Sequence, residues 1–107
     1  MAEIHKNQCK ANLTDSIKDD PVEDLGILAK ALGHPARVTI IRTLIRKGTC
    51  LTGSLADELP LAPSTVSEHL RILREAGLVQ GTVDGPKRCY CTNQQTIDYL
   101  KKLINDL

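Results

Sequence analysis

Apolar residues recur every three or four positions through most of this 107-residue chain, and proline or glycine marks where each run stops. Val22 to Leu32 places Leu25, Leu28, Ala29 and Leu32 on one face, which predicts an amphipathic helix behind the start signal Asp19-Asp20-Pro21. Gly33-His34-Pro35 ends it and begins a second helix, with Val38, Ile41, Leu44 and Ile45 inward and Gly48 as its end. Leu51 to Val79 predicts two short helices joined by a tight turn. Leu51, Leu55 and Leu59 give the first one apolar face, and Leu59-Pro60-Leu61-Ala62 breaks the pattern. The second opens on Pro63, whose missing amide hydrogen has no intrahelical acceptor at that position anyway. It turns Val66, Leu70 and Leu73 inward and closes on Gly77, the expected left-handed stop.

Thr49-Cys50-Leu51 is a short β-prone segment ahead of this unit. Beyond Gly77, Leu78 to Val83 and Lys87 to Thr92 read as strands joined by Asp84-Gly85-Pro86, a hairpin signal. A last helix from about Gln94 carries Ile97, Leu100, Leu103, Ile104 and Leu107. The order is helix, helix, strand, helix, helix, hairpin, helix. That is a mainly α chain with a small β-hairpin wing, a winged helix-turn-helix. Residues 1–20 are expected to form an N-terminal tail with a short helix around Leu13 to Lys18, and residues 21–107 the DNA-binding and dimerisation domain.

The polar positions of the second helix of the pair carry the functional signal. Ser64, Thr65, Ser67, Glu68, Arg71 and Arg74 face outward, and short polar residues followed by arginines suit entry into a DNA major groove. Ser64, Thr65 and Ser67 are expected at base edges. Arg71 and Arg74, with Lys87 and Arg88 near the wing tip, are expected at phosphates. Net charge is only +1, so its distribution matters more than its sum. Residues 1–24 hold six acids against three lysines, whereas Lys30, Arg37, Arg42, Arg46 and Lys47 span residues 30–47 with no acid. A basic face for phosphates and an ordinary solvated helix face both fit that asymmetry. With no Phe or Trp and two Tyr, a stacking platform for single strands is not expected.

No apolar run is long enough to span a membrane, and the N-terminus lacks the pattern of a signal peptide. A cytoplasmic protein follows, with its four cysteines expected as thiols. Three compact helices offer little room for the apolar faces of the first and last helices. The alternatives are a monomer that folds them onto its own core and a twofold dimer built through them. The dimer is favoured because paired recognition helices match palindromic double-stranded DNA.

Leu32-Gly33-His34-Pro35-Ala36-Arg37, Ser64-Thr65-Val66-Ser67-Glu68-His69-Leu70 and Leu73-Arg74-Glu75-Ala76-Gly77-Leu78-Val79 occur in the order and spacing of a known family. Over roughly Val22 to Asn93 the chain resembles the ArsR/SmtB family of metal-sensing repressors. The resemblance implies a homodimer that binds an operator and is released by an inducer held on cysteines, histidines or carboxylates. It also implies DNA reading by Pro63, Ser64, Ser67 and Glu68. Two positions depart from the family pattern. Ala62 stands where a capping serine is common, and Glu68 where glutamine or histidine is frequent. A carboxylate repels phosphate but accepts from the cytosine amino group. His69, between Val66 and Leu70, reads as a hydrogen-bonded histidine at the core edge rather than a metal ligand.

Cys9, Cys50, Cys89 and Cys91 supply the second signal. Cys89 and Cys91 are two apart in a strand and share a face. In a winged helix the strand before the helix-turn-helix pairs with the second wing strand, which would bring Cys50 beside them. Three thiolates suit trivalent arsenic or antimony as inducer. Zinc or cadmium would want a fourth ligand, for which Cys9 or His5 is available. The sequence offers two further readings: cysteines as small apolar fillers, and a thiol-redox switch through a disulfide from Cys50 to Cys89 or Cys91. Family ligand sets elsewhere are incomplete. Thr52 stands where the second cysteine of the arsenic box would be, and the last helix has Asp98 but no histidine. No cofactor is expected to be needed for folding. The three histidines have no evident catalytic neighbour and there is no phosphate-binding glycine loop, so an enzyme is not expected.

Overall fold

The computed structural model describes residues 19–47, 51–52, 59–84 and 87–107; the side chains of 51–52 and 82–89 lie outside that description. The described elements are α1 (Pro21–Leu32), α2 (Pro35–Lys47), β1 (Leu51–Thr52), α3 (Pro63–Glu75), β2 (Val79–Asp84), β3 (Lys87–Thr92) and α4 (Gln94–Asn105). This is the expected winged helix-turn-helix order. The tail, its short helix and most of the first helix of the pair (residues 53–58) fall outside the described residues. Leu51 departs from the helical stripe assigned to it: it lies in β1 and pairs with Tyr90. Its four-residue spacing to Leu55 was outweighed by the ladder that β1 makes with the wing.

Local chemistry sets the helix ends. Asp20 caps α1 by accepting from the amides of Val22 and Glu23 at 3.1 and 3.3 Å, with Pro21 next. His34 caps α2: its Nδ1 accepts from the Ala36 amide at 3.0 Å. The end of α3 is a Schellman motif. Gly77, at φ 87°, donates to the Arg74 carbonyl, and Leu78 donates to that of Leu73, each at 3.0 Å. Asn93 caps α4, its side chain accepting from the Thr96 amide at 3.3 Å. The same residue's amide donates to Leu78 at 2.9 Å, closing the stem of the wing.

The three strands form an antiparallel sheet in the order β1-β3-β2, so the strand ahead of the helix-turn-helix does pair with the second wing strand. The core is Leu28 and Ala31 of α1, Ile40, Ile41 and Leu44 of α2, Val66, Leu70 and Leu73 of α3, and Ile97, Leu100 and Leu103 of α4, closed by Leu59, Leu78 and Val79. Several inward assignments are corrected. Ala31 rather than Ala29 is buried on α1, and Ile40 joins Ile41 and Leu44 on α2. Val38 and Ile45 lie on the outer side of α2 because its buried stripe runs through 40, 41 and 44. Ile104 and Leu107, at 51% and 91% exposure, extend past the core that α4 covers.

One polar contact ties the first and last helices. Asp24 is fully buried and accepts from the Tyr99 hydroxyl at 2.6 Å. That bond, with burial and the acid's charge behind it, pushes the Tyr99 pKa up to about 12. Among the described residues no helix is long and apolar enough to cross a membrane.

Candidate nucleic-acid interface

Helix α3 is strongly two-sided. Val66, Leu70 and Leu73 are at most 5% exposed, while Pro63, Ser64, Thr65, Ser67, Glu68, Arg71 and Arg74 are all exposed. The residues read as base-facing therefore stand together on the leading end of one open face. Ala62, the N-cap, makes no side-chain capping bond, although its φ of −64° and ψ of 146° suit a capping residue. Ala62→Ser is expected to stabilise the fold by about 1 kcal/mol, read as a higher urea midpoint at unchanged slope. An unchanged midpoint would show that the α3 amides already have partners.

The basic residues divide into three situations. Arg74 lies against the wing: a Cβ at Gly81 would sit 3.5 Å from Arg74 Cδ and Nη1 and 3.3 Å from Tyr90 Cε1. Glycine in a strand signals such a close approach. Lys87 and Arg88 occupy the start of β3, paired with Asp84 and Val83, and their side chains lie outside the described residues. Arg71 is held on its own helix. Its Nε and Nη2 donate to the two oxygens of Glu68, and its Nη1 donates to Glu75 Oε2 at 2.7 Å. The spacings i−3 and i+4 are those at which helical side chains meet.

His69 is 8% exposed and hydrogen-bonded, as expected of a core-edge histidine. Its Nδ1 faces Arg37 Nη1 at 3.2 Å, while Arg37 Nε donates to the Ala31 carbonyl at 2.5 Å. Arginine can only donate, so His69 Nδ1 is the acceptor and the ring is neutral with its proton on Nε2. The His34 ring lies 4.7 Å away, centroid to centroid. This junction joins the end of α1, the start of α2 and the back of α3. Arg37 and His69 are 32 residues apart, so spacing carries no trace of it.

Burial, then the charges of His34 and Arg37, pull the His69 pKa below its usual value. Stability from the neutral ring is then complete above about pH 6.5 and is lost as pH falls through the lowered folded-state value. The urea midpoint is expected to decline below that pH. His69 resonances titrating above 6.5 would contradict it.

Cys91 is buried at 8% exposure and is disulfide-bonded, where a thiol was expected. The side chains of Cys9, Cys50 and Cys89 lie outside the described residues. The backbone of Cys89 pairs with Thr52 on β1 and Thr82 on β2; Leu51, the residue after Cys50, pairs with Tyr90. Among the described residues no three His, Cys, Asp or Glu side chains cluster as a metal site.

Comparison with known proteins bears on the same elements. Residues 34–80, from the cap of α2 to the first wing strand, match the family described as bacterial regulatory protein, arsR family. An uncharacterised HTH-type transcriptional regulator of Methanocaldococcus jannaschii is 32% identical over 78 residues, 73% of this chain and 88% of that one. The HTH-type transcriptional regulator CmtR of Mycobacterium tuberculosis is 44% identical over 61 residues, 57% of this chain and 51% of CmtR. Among solved structures, a possible transcriptional regulator for arsenical resistance superposes with a TM-score of 0.66 at 32% identity, covering 75% of this chain and 81% of that one.

Proposed function

The chain belongs to the arsR family of bacterial transcriptional regulators, and from that premise we propose that it is a cytoplasmic repressor binding palindromic operator DNA as a homodimer. The observation that carries the reading is α3, whose open face gathers Ser64, Thr65, Ser67 and Glu68 over a buried backing. Pro63 starts that face, and Arg74, Lys87 and Arg88 are the phosphate contacts. The dimer is supported by apolar side chains left outside the core along α1 and α4, which pack together: Val22 at 83% exposure on α1, Ile104 on α4 and Leu107 just beyond it. Twofold pairing through those helices would present two copies of α3 to two half-sites.

The proposed inducer is a trivalent metalloid, arsenic or antimony, held by the thiolates of Cys50, Cys89 and Cys91, with Cys9 auxiliary or dispensable. The pairing of β1 with β3 supports it, because Leu51, the residue after Cys50, pairs with Tyr90, the residue before Cys91. The disulfide at Cys91 supports it too, since a second sulfur reaches this residue. The donor set fits a thiophilic ion, which thiolates select. Kinship with a protein described for arsenical resistance points the same way. Zinc or cadmium is the alternative ion. The same disulfide favours one further reading, in which oxidation rather than an ion governs operator release.

Titrating the reduced protein on operator DNA with arsenite, antimonite, zinc and cadmium, and separately with oxidant, tests the proposal. Release by arsenite or antimonite at micromolar levels is expected. Release by oxidant alone would replace the metalloid reading with the redox one. Arg88→Ala is expected to flatten the salt dependence by about one unit of slope and leave base preference intact. An altered base preference at unchanged slope would remove Arg88 from the phosphate contacts.

A further inference from the structure

The α3 face presented to DNA carries two acids, Glu68 and Glu75, and Arg71 bridges them. An acid in the major groove of a polyanion is costly, and Arg71 offsets part of that cost by setting a positive charge directly against Glu68. An exposed helical ion pair contributes little to stability, about 0–1 kcal/mol. What this one changes is charge and orientation. Arg71 grips both oxygens of Glu68, so the carboxylate plane is fixed by a two-point fork. Each oxygen keeps a lone pair free, since each accepts one bond from Arg71. Side-chain exposures of 55% for Glu68 and 47% for Arg71 leave that outer edge open. Arg71 also lowers the Glu68 pKa, chiefly through the hydrogen bonds, so the group stays an acceptor.

An acceptor held in a fixed orientation in the major groove discriminates among bases. Cytosine presents its amino group as a donor. Guanine presents only acceptors, thymine an acceptor and a methyl group, and adenine an amino group beside the acceptor N7. A carboxylate is repelled by each acceptor, so cytosine is the base it takes. We propose that Glu68 and Arg71 act as one specificity unit, in which Glu68 reads a cytosine in each half-site and Arg71 is its positioning residue rather than a phosphate contact. This rests on the reading of α3 as the recognition helix. It reassigns Arg71, whose sequence position alone pointed to the backbone.

The test is selection from a randomised duplex pool with the full-length protein, Glu68→Gln, Arg71→Gln and the double variant, followed by salt titrations on selected duplexes. The native protein is expected to prefer cytosine at one position per half-site by about tenfold or more. Glu68→Gln should move that preference toward adenine, the base glutamine reads with two bonds. Arg71→Gln should flatten the same position several-fold and leave the other positions unchanged, which also shows that the variant is folded. In the Glu68→Gln background, Arg71→Gln should add nothing to the preference. Retained cytosine preference in Arg71→Gln, with the salt slope reduced by about one unit, would make Arg71 a phosphate contact and overturn the proposal. Selective binding by the native protein without that cytosine would overturn it while sparing the recognition-helix reading. No selection of any duplex by the native protein would sink that reading itself.

Discussion

Cys91→Ser is expected to leave operator binding of the reduced protein intact and to abolish its response to arsenite. An ordinary coupling of about 1–3 kcal/mol corresponds to a 5–150-fold loss of operator affinity at saturating inducer, and the whole of that difference should disappear. The reasoning starts from position. Cys91 is buried in the central strand of the sheet, whose neighbours lead to both parts of the DNA-binding surface. On one side β1 opens the segment that leads to the helix-turn-helix, and on the other β2 follows directly from α3. Side chains drawn together from β3 and the segment around β1 would shift the wing against α3. An inducer acts only through such a difference between the released and the bound states. Serine matches cysteine in size but offers no soft ligand, so packing survives while the response does not. Fluorescence anisotropy on operator duplex, with and without arsenite, is the measurement. Full response in both Cys91→Ser and Cys89→Ser would remove the wing site, and loss confined to Cys9→Ser would move the site to the tail.

The largest effect on stability is expected at Leu73. Leu73→Ala should lower the unfolding free energy by about 2–5 kcal/mol, through lost transfer energy and the cavity left behind. Leu73 is fully buried at the last turn of α3, and its carbonyl accepts the Leu78 amide in the Schellman motif. Leu78 itself is 1% exposed, so the truncation loosens the hydrophobic contact that accompanies this helix stop. The cost falls where recognition helix and wing join. Urea unfolding at fixed protein concentration measures it, since a dimer makes the midpoint concentration-dependent. A loss below 1 kcal/mol would mean that the site collapses to fill the space.

Much of this fold was legible because its boundaries are written in local chemistry. Asp20-Pro21, His34-Pro35, Pro63 and Gly77 each mark a helix end through their own backbone or side-chain preference, and the structure places ends there. Lys87 to Thr92 forms the strand expected of it. What was not legible depends on partners distant in sequence. Asp24 in the first turn of a helix reads as a charge that favours the helix dipole. Its burial under Tyr99 joins positions 75 apart. Val38 and Ile45 were assigned inward on hydrophobicity, although only the packed neighbours decide which flank of α2 is covered. The Arg71 bridge stands at readable spacings, but the role first assigned to the arginine came from its place late on the helix. On the cysteines, spacing and strand pairing point to convergence, while the bonding state of Cys91 belongs to the folded sheet.

The closed stem of the wing has a consequence for design. Asn93 at once accepts from the first turn of α4 and donates to Leu78, the residue before β2. The hairpin is thus clamped at its base. Residue pairs added at the tip extend a paired ribbon, and a longer loop there costs only about 0.6 kcal/mol per doubling. Removing or adding a single residue between Cys91 and Gln94 would instead shift the cap and turn every side chain of β3 to the opposite face. Reach along the DNA is therefore an adjustable length in this scaffold, and the joint to α4 is its fixed gauge.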